Sequence, residues 1–253
     1  MFENAIVRIP CKNMTKGISN AKLGIPDHKK AVQQHEKYIE SLIKCGVIVT
    51  VLQPDDNYPD STFIEDTALL TPNCAIISNP GAESRKGEIK EIKEIITEFY
   101  KNIEFISDPG TMEPGDIMMV DSHFYIGLSK RTNKVGAEQT ISFLKKFGMT
   151  GSIVTLEKVL HLKTGISYLE NNNLIVAGEF INKPEFQKFN LIKVDDDESY
   201  AANCIWMNDN VLVPSGFPKI RKKIENAGYK TIALDMSEFR KLDGGLSCLS
   251  LRF

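Results

Sequence analysis

The chain has no CxxC pair, no G-x-G-x-x-G or Walker turn, a single tryptophan and no apolar run of more than a few residues. Each absence excludes something. Without clustered Cys/His spacing there is no basis for a structural zinc, and an odd count of five cysteines (Cys11, Cys45, Cys74, Cys204, Cys248) does not fit a disulfide framework, so free thiols are expected. No glycine-rich turn opens a helix, which removes the usual mark of a nucleotide-phosphate cradle. The longest apolar stretches, such as VIV and ALL, fall far below the roughly 20 residues that span a bilayer, so no membrane partner is expected. A surplus of one charge is also missing: the formal net charge is −2, with Lys/Arg spread among Glu/Asp, which gives no basic field for nucleic acid. The segment MFENAIVRIPCKN lacks a basic stretch followed by an apolar one, and a cytoplasmic location is expected.

What remains is an ordinary globular composition, 42% hydrophobic and 25% charged, with enough chain for one large or two modest domains, of which the repeating pattern favours a single catalytic domain over residues 1–253. Asp27 is placed to cap a helix whose positions Val32, His35, Tyr38, Ile39, Leu42 and Ile43 share one face, stopped by Gly46. VIVTVL follows as a strand, then TFIEDTALL and CAIISN as a hairpin about Thr71-Pro72-Asn73, then a helix with Ile89, Ile92, Ile96 and Phe99 inward.

The same order recurs. IEFI leads to the hairpin GDIMMV and FYIGLS around Asp121-Ser122 and a helix over 133–147. SIVTLE leads to ISYL and LIVAGEF around Asn171-Asn172-Asn173 and a short helix over 183–189; LIKV leads to CIWM and VLVPSG around Asn208-Asp209, a helix over 217–227, and TIALDM. A period of about 35 to 50 residues is that of a radial or solenoid array. AIVRIP and LSCLSL have no sequential partners and should pair with each other, completing a fifth unit and removing exposed edges. The expected fold is therefore an α/β five-bladed propeller of pseudo-fivefold ββαβ units, closed by its terminal strands. A doubly wound parallel sheet fits less well, because paired strands between successive helices demand antiparallel hairpins.

If the units are equivalent, their first strands begin near one axis, at TFIEDT, MEPGDI, HLKTGI, YAANCI and DGGLSC. These starts bring Asp66, Glu113, His161, Asn203 and Cys248 toward a common centre. Each has a plainer reading alone. A thiol in an apolar strand is more often core filling, a His between leucines a satisfied core residue, a Glu in a Pro/Gly loop a solvated carboxylate. Glu65 and Asp66 should face opposite sides of a strand unless it bulges. Recurrence at equivalent places favours a shared cavity. A thiolate beside an imidazole suits attack on an electrophilic carbon, and carboxylates suit a planar guanidinium cation. Arg85 and Arg131 would then meet a carboxylate elsewhere on an arginine-like ligand, with no metal or organic cofactor.

These residues also resemble a known family. PDSTFIEDTALL, NPGAESRKGE, GTMEPGDIMMV, HFYIGLSKRTN, EKVLHLKTG, ESYAANCIWMN and LDGGLSCLSLRF look like segments of the dimethylarginine dimethylaminohydrolases, of the guanidino-group-modifying superfamily, in order over almost the whole chain. The resemblance implies a five-bladed α/β propeller and a Cys-His-Glu group: Cys248 as nucleophile, His161 as general acid and base, Glu113 orienting His161. It implies that Asp60, Asp66 and Glu65 hold the guanidinium, Arg85 and Arg131 hold the substrate carboxylate, Ile18 lies in a mobile lid over 17–27, and Leu242 contributes a backbone contact. The implied reaction is hydrolysis of Nω,Nω-dimethyl-L-arginine, or the monomethyl analogue, to L-citrulline and dimethylamine or methylamine. An arginine deiminase-like hydrolase and a non-catalytic guanidine-binding protein are the alternatives, and a homodimer is left open.

Overall fold

Left-handed backbone marks three of the four predicted hairpin turns. Asp121 (φ 52°), Asn171 and Asn172 (51° and 63°), and Asn208 and Asp209 (46° and 71°) occupy the region that Asn and Asp tolerate better than most residues. The computed structural model describes residues 1–253. Around these turns the chain forms β1 (Asn4–Arg8), α1 (His28–Lys44), β2 (Ile48–Leu52), β3 (Ala68–Leu70), β4 (Ala75–Ile77), α2 (Ile89–Ile96) and β5 (Ile103–Phe105). β6 (Ile117–Val120), β7 (His123–Leu128), α3 (Lys134–Lys146), β8 (Thr150–Thr155), β9 (Ile166–Tyr168), β10 (Asn173–Val176) and β11 (Asn190–Lys193) follow. The chain ends through β12 (Ile205–Met207), β13 (Asn210–Pro214), α4 (Pro218–Asn226), β14 (Lys230–Leu234), α5 (Ser237–Arg240) and β15 (Leu251–Arg252).

The strands form five sheets of three. In four of them an antiparallel hairpin is followed by a strand parallel to its second member: β3-β4-β5, β6-β7-β8, β9-β10-β11 and β12-β13-β14. The fifth is assembled from both chain ends, with β1 antiparallel to β15 (Ala5 opposite Arg252, Ile6 opposite Leu251) and parallel to β2. The terminal pairing is the predicted one.

By contact density the chain separates into two compact units, residues 1–64 with 165–252, and residues 65–164 with Phe253. The first holds three sheets and two apolar cores. One core gathers Met14, Tyr38, Leu42, Phe239 and Leu246; the other gathers Ile175, Val211, Val213, Ile220 and Ile224. The second unit holds two sheets around Ile76, Phe124, Ile126 and Leu144. Each fully buried side chain of this size contributes about 1.5–3 kcal/mol of transfer free energy.

Local differences from expectation have physical causes. Asp27 caps α1 as predicted, accepting the Lys30 N–H at 3.0 Å, and Gly46 ends it at φ 83°. The buried stripe is turned, however. Ile43 is 57% exposed while Gln34 and Ser41 are buried, because α1 meets the polar start of α5, where Gln34 bonds both the Ser237 hydroxyl and the Glu238 N–H. The helix expected over 183–189 is a 3-10 turn at Pro184–Phe186; Lys183 is held extended (φ −67°, ψ 129°) ahead of the proline. A larger difference is systematic. One edge strand of every sheet, β3, β6, β9, β12 or β15, is preceded by a 3-10 turn: Ile64–Thr67, Pro114–Asp116, Leu162–Thr164, Asp196–Ala202 and Ser247–Leu249. Asp66, Glu113, His161, Asn203 and Cys248 sit on or beside these turns rather than on strands.

Candidate active site

In the second unit, the turn before β3 places Glu65 and Asp66 in successive 3-10 positions, so strand alternation does not force them apart. Asp66 Oδ1 accepts the Gly115 N–H at 3.0 Å, and its Oδ2 pairs with Arg85 at 2.6 Å. Arg85 also pairs with Glu88, with Nε 3.0 Å from Oε1 and Nη2 2.8 Å from Oε2. Glu65 Oε1 lies 2.6 Å from Lys163 Nζ.

Glu113 is fully buried as the residue before the Pro114–Asp116 turn. Its Oε2 lies 2.8 Å from His161 Nε2; its Oε1 accepts from Arg131 Nη1 and from the Ala82 N–H, both at 3.2 Å. Gly115 permits this crowding. A Cβ there would stand 2.9 Å from both Asp66 Oδ1 and His161 Nδ1. Burial opposes the charged form of each partner, but their mutual interaction and neighbouring charges outweigh it. Burial would raise Glu113, yet the hydrogen bond and charge of His161, with Arg85 and Arg131, hold it down at about 2. Burial would lower His161, yet Asp66, Asp116 and Glu113 raise it to about 9. At neutral pH the pair is imidazolium and carboxylate.

Asp66, Glu113 and His161 also offer donor atoms within 4.8 Å of one another, the spacing of a metal site. The donor set argues against one, since Asp66 and Glu113 are already paired with arginines and His161 is held protonated.

In the first unit, Cys248 lies in the Ser247–Leu249 turn and is partly exposed, whereas the other four free cysteines are buried. Burial raises the thiols of Cys11, Cys45, Cys74 and Cys204 above the ordinary range, which suits inert core residues. The Gly245 N–H points at Cys248 Sγ at 3.4 Å. Asn203, after the turn before β12, accepts the Ser247 N–H at 2.9 Å and donates to the Ser247 hydroxyl at 3.0 Å. That bond draws the Ser247 N–H into the turn, and β15 begins only at Leu251. Tyr38 bonds the Leu246 carbonyl at 3.1 Å and Ser250 Oγ at 2.6 Å, and Arg252 bonds the Ser247 carbonyl at 2.9 Å.

Also in this unit, the Ile18 N–H reaches both oxygens of Asp60, at 3.0 and 3.3 Å. The loop continues onto the segment around Leu242: Ser19 Oγ donates to the Lys241 carbonyl at 2.7 Å, and the Asn20 N–H to Asp243 Oδ2 at 2.6 Å. Ile18 is 40% exposed and Leu242 is buried. The structure thus groups Asp66, Glu65, Arg85, Glu113, Arg131 and His161 in one unit, and Ile18, Asp60, Leu242 and Cys248 in the other. Sequence reasoning passed over Asp116, Ser129 and Thr132. Asp116 stood in the quoted MEPGDI segment, where nothing in the sequence distinguishes a buried acid from a solvated loop acid.

A family model described as N,N dimethylarginine dimethylhydrolase, eukaryotic, matches residues 19–249. The N(G),N(G)-dimethylarginine dimethylaminohydrolase of Pseudomonas aeruginosa is 55% identical over 254 residues, covering all of both chains. The chain belongs to the dimethylarginine dimethylaminohydrolase family. A Streptomyces coelicolor dimethylarginine dimethylaminohydrolase is 29% identical over 99% of this chain and 96% of its own. A cysteine-to-serine mutant of the Pseudomonas enzyme complexed with citrulline superposes with a TM-score of 0.99, at 55% identity and full coverage of both chains. The N-terminal domain of the cyanobacterial arginine dihydrolase ArgZ shares the fold, with a TM-score of 0.90 at 19% identity over 100% of this chain and 97% of that one. No helix of this family member is long and apolar enough to cross a membrane.

Proposed function

We infer that this protein hydrolyses Nω,Nω-dimethyl-L-arginine, and Nω-methyl-L-arginine, to L-citrulline and the corresponding methylamine. The observation that carries the reading is identity of 55% across the whole of both chains to a dimethylarginine dimethylaminohydrolase, one of whose solved forms is complexed with citrulline.

We propose Cys248 as the nucleophile, His161 as acid and base, and Glu113 as the carboxylate that orients His161. The Cys248 thiolate adds to the guanidinium carbon; the C–N bond to dimethylamine breaks, and the leaving nitrogen takes a proton from the imidazolium. This leaves a covalent S-alkylthiouronium. His161, now neutral, takes a proton from water as the oxygen adds to the same carbon; the C–S bond breaks and the remaining hydroxyl proton passes to solvent, returning the thiolate and citrulline. Because Glu113 engages Nε2, Nδ1 is the nitrogen assigned to both transfers. The burial and pairing of Glu113 support its orienting role, and the partial exposure of Cys248, against four buried thiols, supports its choice as nucleophile.

Asp60, Glu65 and Asp66 are proposed for the guanidinium, Arg85 and Arg131 for the substrate carboxylate, and Ile18 and Leu242 for contacts along the substrate. Arg131, less enclosed than Arg85, is the readier of the two to meet a ligand. The recurrence of five three-stranded sheets supports a closed propeller as one catalytic domain, and the proposal includes a cytoplasmic location and admits a homodimer. Incubation with arginine, monomethylarginine and dimethylarginine, with ammonia, methylamine and dimethylamine measured in parallel, tests the reading. Release of dimethylamine with equimolar citrulline is expected. Ammonia from arginine at the dominant rate would assign a deiminase instead.

A further inference from the structure

Asp116 is fully buried and outside the catalytic and substrate-binding roles proposed above. Its Oδ1 accepts the N–H of Leu162, the residue after His161, at 3.0 Å; its Oδ2 accepts the Ser129 hydroxyl at 2.6 Å. Ser129 Oγ in turn accepts the N–H groups of Arg131 at 2.9 Å and Thr132 at 3.2 Å. Thr132 Oγ1 then accepts the Glu113 N–H at 3.0 Å, and Arg131 pairs with the Glu113 carboxylate at 3.2 Å. Leu162, Ser129 and Thr132 are neutral donors, and the charge set against this carboxylate is that of His161 rather than an arginine or lysine, which makes its burial costly.

We propose that Asp116 is a positioning residue: its carboxylate ties the His161 turn to the Ser129–Thr132 loop and so holds the His161–Glu113 pair in register with Arg131. The inference rests on His161 as acid and base. The same carboxylate acts on the charge of His161. The groups facing that imidazole are Asp66 from the Ile64–Thr67 turn, and Glu113 and Asp116 flanking the Pro114 turn; Arg85 and Arg131 stand behind the carboxylates, and Lys163 on its own turn is paired with Glu65. Burial pushes Asp116 up to about 6, partly opposed by His161 and its hydrogen-bond donors, so it is ionised across the neutral and alkaline range where His161 titrates.

The test is an NMR titration of the His161 ring in the resting protein, beside kcat and KM. In Asp116→Asn the titration midpoint of His161 should fall by about one pH unit, and kcat should fall by at least about 10-fold with KM little changed. Ser129→Ala keeps the carboxylate; it should lower kcat while His161 still titrates near its parent value. An unchanged midpoint in Asp116→Asn overturns the proposal, and so does parent-like kcat in Ser129→Ala, which decides the matter if Asp116→Asn does not fold. The titration needs no substrate. A parent protein inactive on dimethylarginine would therefore remove the functional reading and leave this result standing.

Discussion

Glu113 Oε2 stands 2.8 Å from His161 Nε2, with Glu113 fully buried and Arg131 on its other oxygen. A carboxylate so placed fixes one ring nitrogen, and in the proposed mechanism the other serves the substrate. Glu113→Gln removes the charge while keeping the size. It should lower kcat by about 100-fold or more, the range of a lost acid–base contribution, with a smaller effect on KM. Steady-state kinetics on dimethylarginine check this, and a parent-like kcat would remove Glu113 from the mechanism.

The same pair fixes a pH dependence of stability. His161 is raised from 6.5 to about 9, so its contribution is fully present below about 6.5 and is lost as pH rises through about 9. Glu113 is depressed from 4.5 to about 2, so its contribution is present above 4.5 and lost as pH falls toward 2. Thermal melts from pH 6 to pH 10 should show an alkaline decline that is flatter in His161→Ala. Parallel declines in both proteins would mean that the pair does not set it.

Gly245 carries the N–H that faces Cys248 Sγ, and a Cβ there would stand 2.5 Å from Asn203 Cγ. Gly245→Ala must displace either the turn or the Asn203 amide. It should cut kcat by about 10-fold or more through misplacement of the thiol. Asn203→Ala, which leaves the buried Ser247 N–H unpaired, should cost about 1–3 kcal/mol of stability as well. Chemical denaturation and kinetics on both variants separate the two effects.

β15 is only Leu251–Arg252, yet Leu251 is buried and faces Ile6, and Arg252 bonds the turn that bears Cys248. A chain ending at Cys248 leaves the β1 edge open and removes those bonds. It should lose its cooperative melt together with activity. A stable, active truncated protein would contradict the coupling of fold and nucleophile.

Much of this was legible because each sheet repeats one pattern. Turn residues at Asp121, Asn171-Asn172 and Asn208-Asp209 announced three of the hairpins, and Asp27 announced a helix start. The 3-10 turns before one edge strand of each sheet were not legible. They depend on tertiary hydrogen bonds such as Asn203 to Ser247 and Asp66 to Gly115, between residues 44 and 49 positions apart. For the same reason the sequence placed Cys248 on a strand, and gave no hint that Arg85 would be gripped by Asp66 and Glu88. Asp116 was hidden differently: a buried acid and a solvated loop acid look alike until the partners Leu162 and Ser129 are brought to it.

The most direct test of the central claim is intact-protein mass spectrometry of the protein quenched in acid within its first turnovers on Nω,Nω-dimethyl-L-arginine, with peptide mapping of any adduct. The account predicts an added mass equal to substrate less dimethylamine, located on Cys248 and absent from Cys248→Ser, which should release no dimethylamine. Dimethylamine release at the parent rate by Cys248→Ser, or an adduct on any other residue, would contradict it.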